Sequence, residues 1–178
     1  MADDTKERWL NHLALTTVIF AVCATLSTFK GGGFSTRSVI SQAQASDQWA
    51  FFQAKSTKEN LYRLQEENLQ LEMELLPATA NQEIKDRYQK ALETAAANIG
   101  KYEKEKADIQ QEAKRLEAAR DEAQKHSQPF GLAVIFLQVA ILISSISGLF
   151  KRRSLWLTAL PVGIIGILYF FNGFFLFF

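Results

Sequence analysis

The sequence predicts an all-α membrane protein: three transmembrane helices and, outside the membrane, a long antiparallel helical hairpin of coiled-coil type. Three observations predict it. Uncharged apolar stretches occupy residues 9–29, 130–150 and 155–178. Between the first two lies a stretch rich in Lys, Glu, Gln and Ala, with a single proline, Pro77, before Pro129. Within that stretch, apolar side chains recur at seven-residue intervals.

A membrane-crossing helix needs about 20 apolar residues, because the hydrocarbon core is ~30 Å thick and each helical residue rises ~1.5 Å. All three stretches reach that length without an Asp, Glu, Lys or Arg. Segregation also explains the unremarkable averages of 48% hydrophobic residues and a net charge of +1 over 178 residues. The first stretch follows Met1–Arg8, a short segment of mixed charge and a poor match to the basic start of a signal peptide, so an uncleaved anchor is expected.

The short turn 151–154 carries Lys151, Arg152 and Arg153. The excess of Lys and Arg in cytoplasmic loops places this turn, and with it the N-terminal residues 1–8 including Lys6, in the cytoplasm. The long middle segment and the C-terminus then lie on the periplasmic or extracellular side.

In the middle segment Gly31, Gly32 and Gly33 read as a joint (30–34) between the first span and the hairpin. The hairpin occupies 35–128 and turns near 77–79. Its first helix runs from Ser35 to Leu76. Pro77 disfavours continuation, and Thr79 with Gln82 fits a capping box that starts the second helix, which ends near Ser127. The arms would measure roughly 63 and 72 Å, so near-equal arms return the chain to the same membrane face. Ala54, Leu61, Asn68 and Leu75, interleaved with Thr57, Leu64 and Leu71, give the first arm a seam. Tyr88, Ala95, Tyr102, Ile109, Leu116 and Ala123 give the second arm its own. Ala45, Trp49, Phe52 and Ser56 form a stripe off the first seam. It is a candidate interface with another protomer; the alternative is a stutter that turns the rings inward, against small residues near Ala107 and Ala113.

The residues for familiar chemistries are missing. Lys and Arg nearly balance Asp and Glu between 30 and 128, which is not a nucleic-acid footprint. The glycine run lacks the Lys-Ser/Thr ending of a phosphate loop. Cys23 is the single cysteine, and His12 and His126 the two histidines, so zinc motifs and intrachain disulfides are excluded. His12 reads as an interfacial side chain and His126 as a cation near a helix C-terminus. Polar groups within the spans, among them Thr16, Thr17, Thr25, Gln138, Ser144, Ser145, Ser147 and Asn172, read first as helix–helix hydrogen-bonding groups and second as a pore lining. Phe177 and Phe178 are expected at the outer interface.

The runs Leu13–Ser27, Phe29–Ser35 and Gln42–Ser56 are similar to the bacterial membrane family known as domain-of-unknown-function family 4337. The resemblance is specific over about residues 9–64 and implies a bacterial inner-membrane setting. It brings no activity, substrate or cofactor. The expected function is that of a non-enzymatic structural or interaction protein without cofactors. Its partners would be the lipid bilayer, further copies of itself and an unidentified protein docking on the hairpin. The alternative is a homo-oligomeric channel whose hairpins form a vestibule.

Overall fold

A computed structural model describes residues 2–77 and 79–177, with side chains from Arg8 onward. The expectations for Lys6 and Phe178 lie outside the described residues. Three helices and no strand are present among them: α1 (Ala2–Glu74), α2 (Gln82–Phe150) and α3 (Arg153–Phe175). Each helix is long and apolar enough to cross a membrane, by length and composition.

Two expected boundaries are absent. Instead of a joint at Gly31, Gly32 and Gly33, α1 is helical throughout its 73 residues. Three glycines cost roughly 1 kcal/mol each relative to Ala in a helix interior, too little to break a helix anchored by packing on both sides. Likewise α2 does not end near Ser127 but passes through Pro129. Pro129 removes one N–H and is buried, and a long apolar continuation outweighs that loss. The start of α2 also differs. Asn81, not Thr79, caps it, with its Oδ1 accepting from the Glu83 N–H at 3.1 Å. Pro77 and Thr79 lie in the non-helical link between α1 and α2, where the Pro77 carbonyl accepts from Ala80 N–H at 2.8 Å.

The chain divides into two compact units. Unit 1 comprises Met1–Ile40 and Ala119–Phe178. Its core is Phe20, Ala24, Phe130, Ala133, Leu137, Ala140 and Phe170. Alanines and glycines let the helix backbones approach. A Cβ on Gly163 would fall inside the Phe20 ring, one on Gly166 would stand 2.7 Å from Leu137 Cγ, and one on Gly173 2.8 Å from the Phe130 ring. Meanwhile Leu15, Val18, Ile135, Leu142, Ile164 and Leu168 stay exposed. Small residues inside and large apolar ones outside is the pattern of helices packed in lipid.

The link between α2 and α3 holds the basic cluster. Lys151 adopts a left-handed conformation (φ 54), its N–H bonds the Gly148 carbonyl at 3.3 Å, and Arg152 N–H bonds the Ser147 carbonyl at 3.1 Å. This is the Schellman ending of a helix, with lysine where glycine is commonest. The Ser147 hydroxyl donates to the Arg152 carbonyl at 2.8 Å and ties the turn down.

Unit 2, Ser41–Ala118, pairs the end of α1 with the start of α2. The pairing is antiparallel: Trp49 meets Glu117, Glu59 meets Lys106, Arg63 meets Glu103 and Glu72 meets Tyr88.

Candidate functional site

The seam of unit 2 concentrates the polar chemistry. On α2 the inward positions are those the spacing predicts: Ala95 is buried, and Tyr88, Tyr102, Ile109 and Leu116 are half-buried. On α1 the seam is different. Ala54, Leu61, Asn68, Leu75, Thr57, Leu64 and Leu71 are all exposed. The inward repeat is Ala45, Phe52, Glu59 and Glu66, with Ser41, Lys55, Tyr62 and Leu69 between. No stutter is needed. One unbroken seven-residue register runs along the opposite side of the helix, where charged Lys55, Glu59 and Glu66 alternate with Ala45, Phe52, Tyr62 and Leu69.

Those charges are paired across the seam. Glu59, 4% exposed, lies 2.5 Å from Lys106 Nζ and 2.9 Å from Arg63 Nη2. Arg63 reaches on to Glu103 at 2.5 Å, and Lys55 holds Glu105 at 2.6 Å. Tyr62 and Tyr102 stack with centroids 5.8 Å apart. Hydrogen bonds from Lys106 and then Arg63 hold the Glu59 carboxyl below the usual carboxylate range. Lys55 does the same for Glu105. Carboxylates so committed to cations are structural ties rather than free bases.

The stripe of Ala45, Trp49, Phe52 and Ser56 sits in this seam. Ala45 is buried and Trp49 Nε1 donates to Glu117 at 2.8 Å. The Phe52 ring lies edge-on to Trp49 at 5.5 Å and under Lys106 Nζ, also at 5.5 Å. Ser56 accepts from Lys106 at 3.4 Å. All four residues thus have partners inside the unit. Of the two small residues named opposite them, Ala113 is buried and Ala107 exposed.

In unit 1 most polar groups of the apolar stretches are satisfied locally. The hydroxyls of Thr16 and Thr17 donate to the Leu13 carbonyl, Thr25 to Ala21 and Ser145 to Ile141. Trp156 Nε1 donates to Thr16 at 3.1 Å and ties α3 to α1. His126 is not near a helix end, since α2 continues beyond it to Phe150. Its ring stacks on Phe34 at 4.8 Å, and its Nδ1 lies 2.8 Å from the Gly173 carbonyl, which can only accept, so Nδ1 is the donor. His12 is exposed. The exceptions to local satisfaction are of two kinds: the hydroxyls of Ser27 and Ser144 are buried without a hydrogen-bond partner among the described residues, and Gln138 is exposed on α2 within the 130–150 stretch and bonds no other group among the described residues. No cluster of three His, Cys, Asp or Glu side chains able to hold a metal occurs among the described residues.

Residues 9–176 match the family described as a domain of unknown function, DUF4337. The chain belongs to that family. No curated protein and no solved structure matches it. The match covers all three helices, so the glycine contacts of unit 1 and the charged seam of unit 2 both fall within the DUF4337 domain. The two features that spacing alone missed left traces in the sequence. Gly163 and Gly166 are three apart in an otherwise bulky apolar run, and Glu59 and Lys106 are opposite charges on the two sides of the Pro77–Asn81 link.

Proposed function

We propose that this chain is a non-enzymatic structural and interaction protein of the bacterial inner membrane. Three spans anchor it, and it assembles with further copies of itself. In this reading the 151–154 turn and the N-terminus face the cytoplasm, and unit 2 is an extramembrane antiparallel hairpin on the other side. The observation that carries the reading is Gln138. A primary amide facing hydrocarbon without a partner loses several kcal/mol of hydrogen bonding, whereas an amide bonded across helices gains about 0.6–2 kcal/mol. A second protomer is the partner available at that depth. A protein contacting the outer flank of unit 2 is a further partner consistent with a unit whose seam is already filled.

The test is the mass of the purified protein in native lipid, measured by native mass spectrometry. A defined multimer that dissociates in Gln138→Leu supports the proposal; a wild-type monomer sinks it. A second reading is a homo-oligomeric channel, favoured by the exposure of Gln138 together with Ser145 and Thr25. It requires ion flux in liposomes, which a scaffold does not.

A further inference from the structure

The outward face of α1 in unit 2 carries a second seven-residue repeat that nothing in the unit covers. Ala54, Leu61, Asn68 and Leu75 alternate with Thr57, Leu64 and Leu71, and all seven are exposed. Leu61 is 61% exposed, Leu64 56%, Leu71 58% and Leu75 83%, with Phe51 flanking them at 60%. We propose that this stripe docks a second copy of the same chain, the two α1 stretches pairing in parallel as a two-stranded coiled coil about Asn68. The inference rests on the self-association proposed above and names the surface that makes it.

Four features identify the occupant. Leucines at alternating spacings of three and four are knobs whose holes are found on another helix with the same repeat. The exposed positions of α2 across unit 2 offer one large apolar side chain, Ile84; the rest are small or polar. A second copy can therefore bring only the same stripe, and a surface meeting itself makes a closed two-fold contact. Asn68 interrupts the leucines. Against lipid or an apolar partner its amide would go unsatisfied, but in a parallel pair it faces its own equivalent, one amide donating and the other accepting. Finally, copies held by the same spans in one bilayer run parallel, the orientation in which Asn68 meets Asn68.

The flanking residues add a signature. Asn60 would face Gln65 of the second copy, a compatible amide pair. Glu67 would face Glu72, a mild repulsion. Salt screens that repulsion, so the dimer tightens as ionic strength rises, opposite to a contact driven by ion pairs.

The experiment uses the full chain in membranes. Asn68→Cys in a Cys23→Ser background is oxidised, with Lys104→Cys on the outward face of α2 as control. A disulfide-linked dimer at 68 and none at 104 is the expected result. The Leu61→Lys, Leu71→Lys variant, whose helicity should be unchanged because both sites are exposed, should lower association by about tenfold or more. A wild-type multimer that neither cross-links at 68 nor responds to the two lysines overturns this surface while leaving self-association in place. A wild-type monomer in lipid overturns both.

Discussion

Gly31 and Gly32 are neighbours with opposite surroundings. A Cβ on Gly31 would meet Phe130 Cβ at 2.8 Å, an atom fixed next to the backbone of α2. A Cβ on Gly32 or Gly33 would meet nothing within 4 Å. The same substitution should therefore have opposite signs one residue apart. Gly32→Ala gains helix propensity and should stabilise by roughly 0.5–1 kcal/mol. Gly31→Ala forces α1 and α2 apart and should destabilise by about 1–3 kcal/mol. Thermal unfolding of the two variants in detergent, followed by far-UV circular dichroism, checks both. Gly163 is the stricter case, because its missing Cβ is the space filled by the Phe20 ring. Gly163→Ala should lower the unfolding midpoint, and Phe20→Leu in that background should recover part of the loss, since the two positions share one contact.

At the scale of the element, the α1 seam is a charge ladder rather than a leucine zipper, and acid should undo it. Glu59 and Glu105 are held below their ordinary value of 4.5 when folded. The unfolded chain binds protons first as pH falls, so the ladder's stability is fully present above about 4.5 and disappears as pH drops through the lower folded values. Lys55 and Arg63 shift upward because of the same two carboxylates, so on the alkaline side the pairs hold until strongly alkaline pH, while on the acid side they go with Glu105 and Glu59. The unfolding midpoint should fall between pH 5 and pH 3 by an amount that Glu59→Gln reduces. An acid limb unchanged by Glu59→Gln would assign it to other carboxylates. This ladder is also where the sequence misled. The all-helical class, the three stretches apolar enough to cross a membrane, the α2 seam and the link at Pro77 are legible, because apolar length, Tyr/Ala/Ile periodicity and proline speak for themselves. The α1 seam is not. Its best heptad by hydrophobicity, Leu61, Leu64 and Leu71, points outward, while Glu59 and Lys55 turn inward because Lys106 and Glu105 meet them there. A single-helix pattern cannot anticipate a burial that depends on charges some 50 residues away. The expected interruptions are absent for a related reason: Gly31 and Pro129 lie where neighbouring helices hold the backbone, which the pattern of one helix does not show.

For the whole molecule, orientation rests on one short link, and the link's own structure sharpens the test. Lys151 sits in a left-handed conformation that glycine adopts more readily, so its retention there is a local burden of about 1 kcal/mol. Lys151→Gly should raise thermal stability slightly while removing one of three adjacent cations. If those cations set the orientation, stability and topology separate: Lys151→Gly with Arg152→Gln and Arg153→Gln should weaken the orientation bias even where the fold tolerates the changes. A cysteine at Thr79, in the non-helical link between α1 and α2, reports the side directly in a Cys23→Ser background. In intact cells a membrane-impermeant maleimide should label it when Lys151, Arg152 and Arg153 are present, and label it less when they are neutralised. Labelling only after lysis in the otherwise native chain would put unit 2 in the cytoplasm. The parallel pairing through Leu61 and Leu71 would survive that reversal, since all copies would turn together. The partner sought for unit 2 would then be a cytoplasmic one.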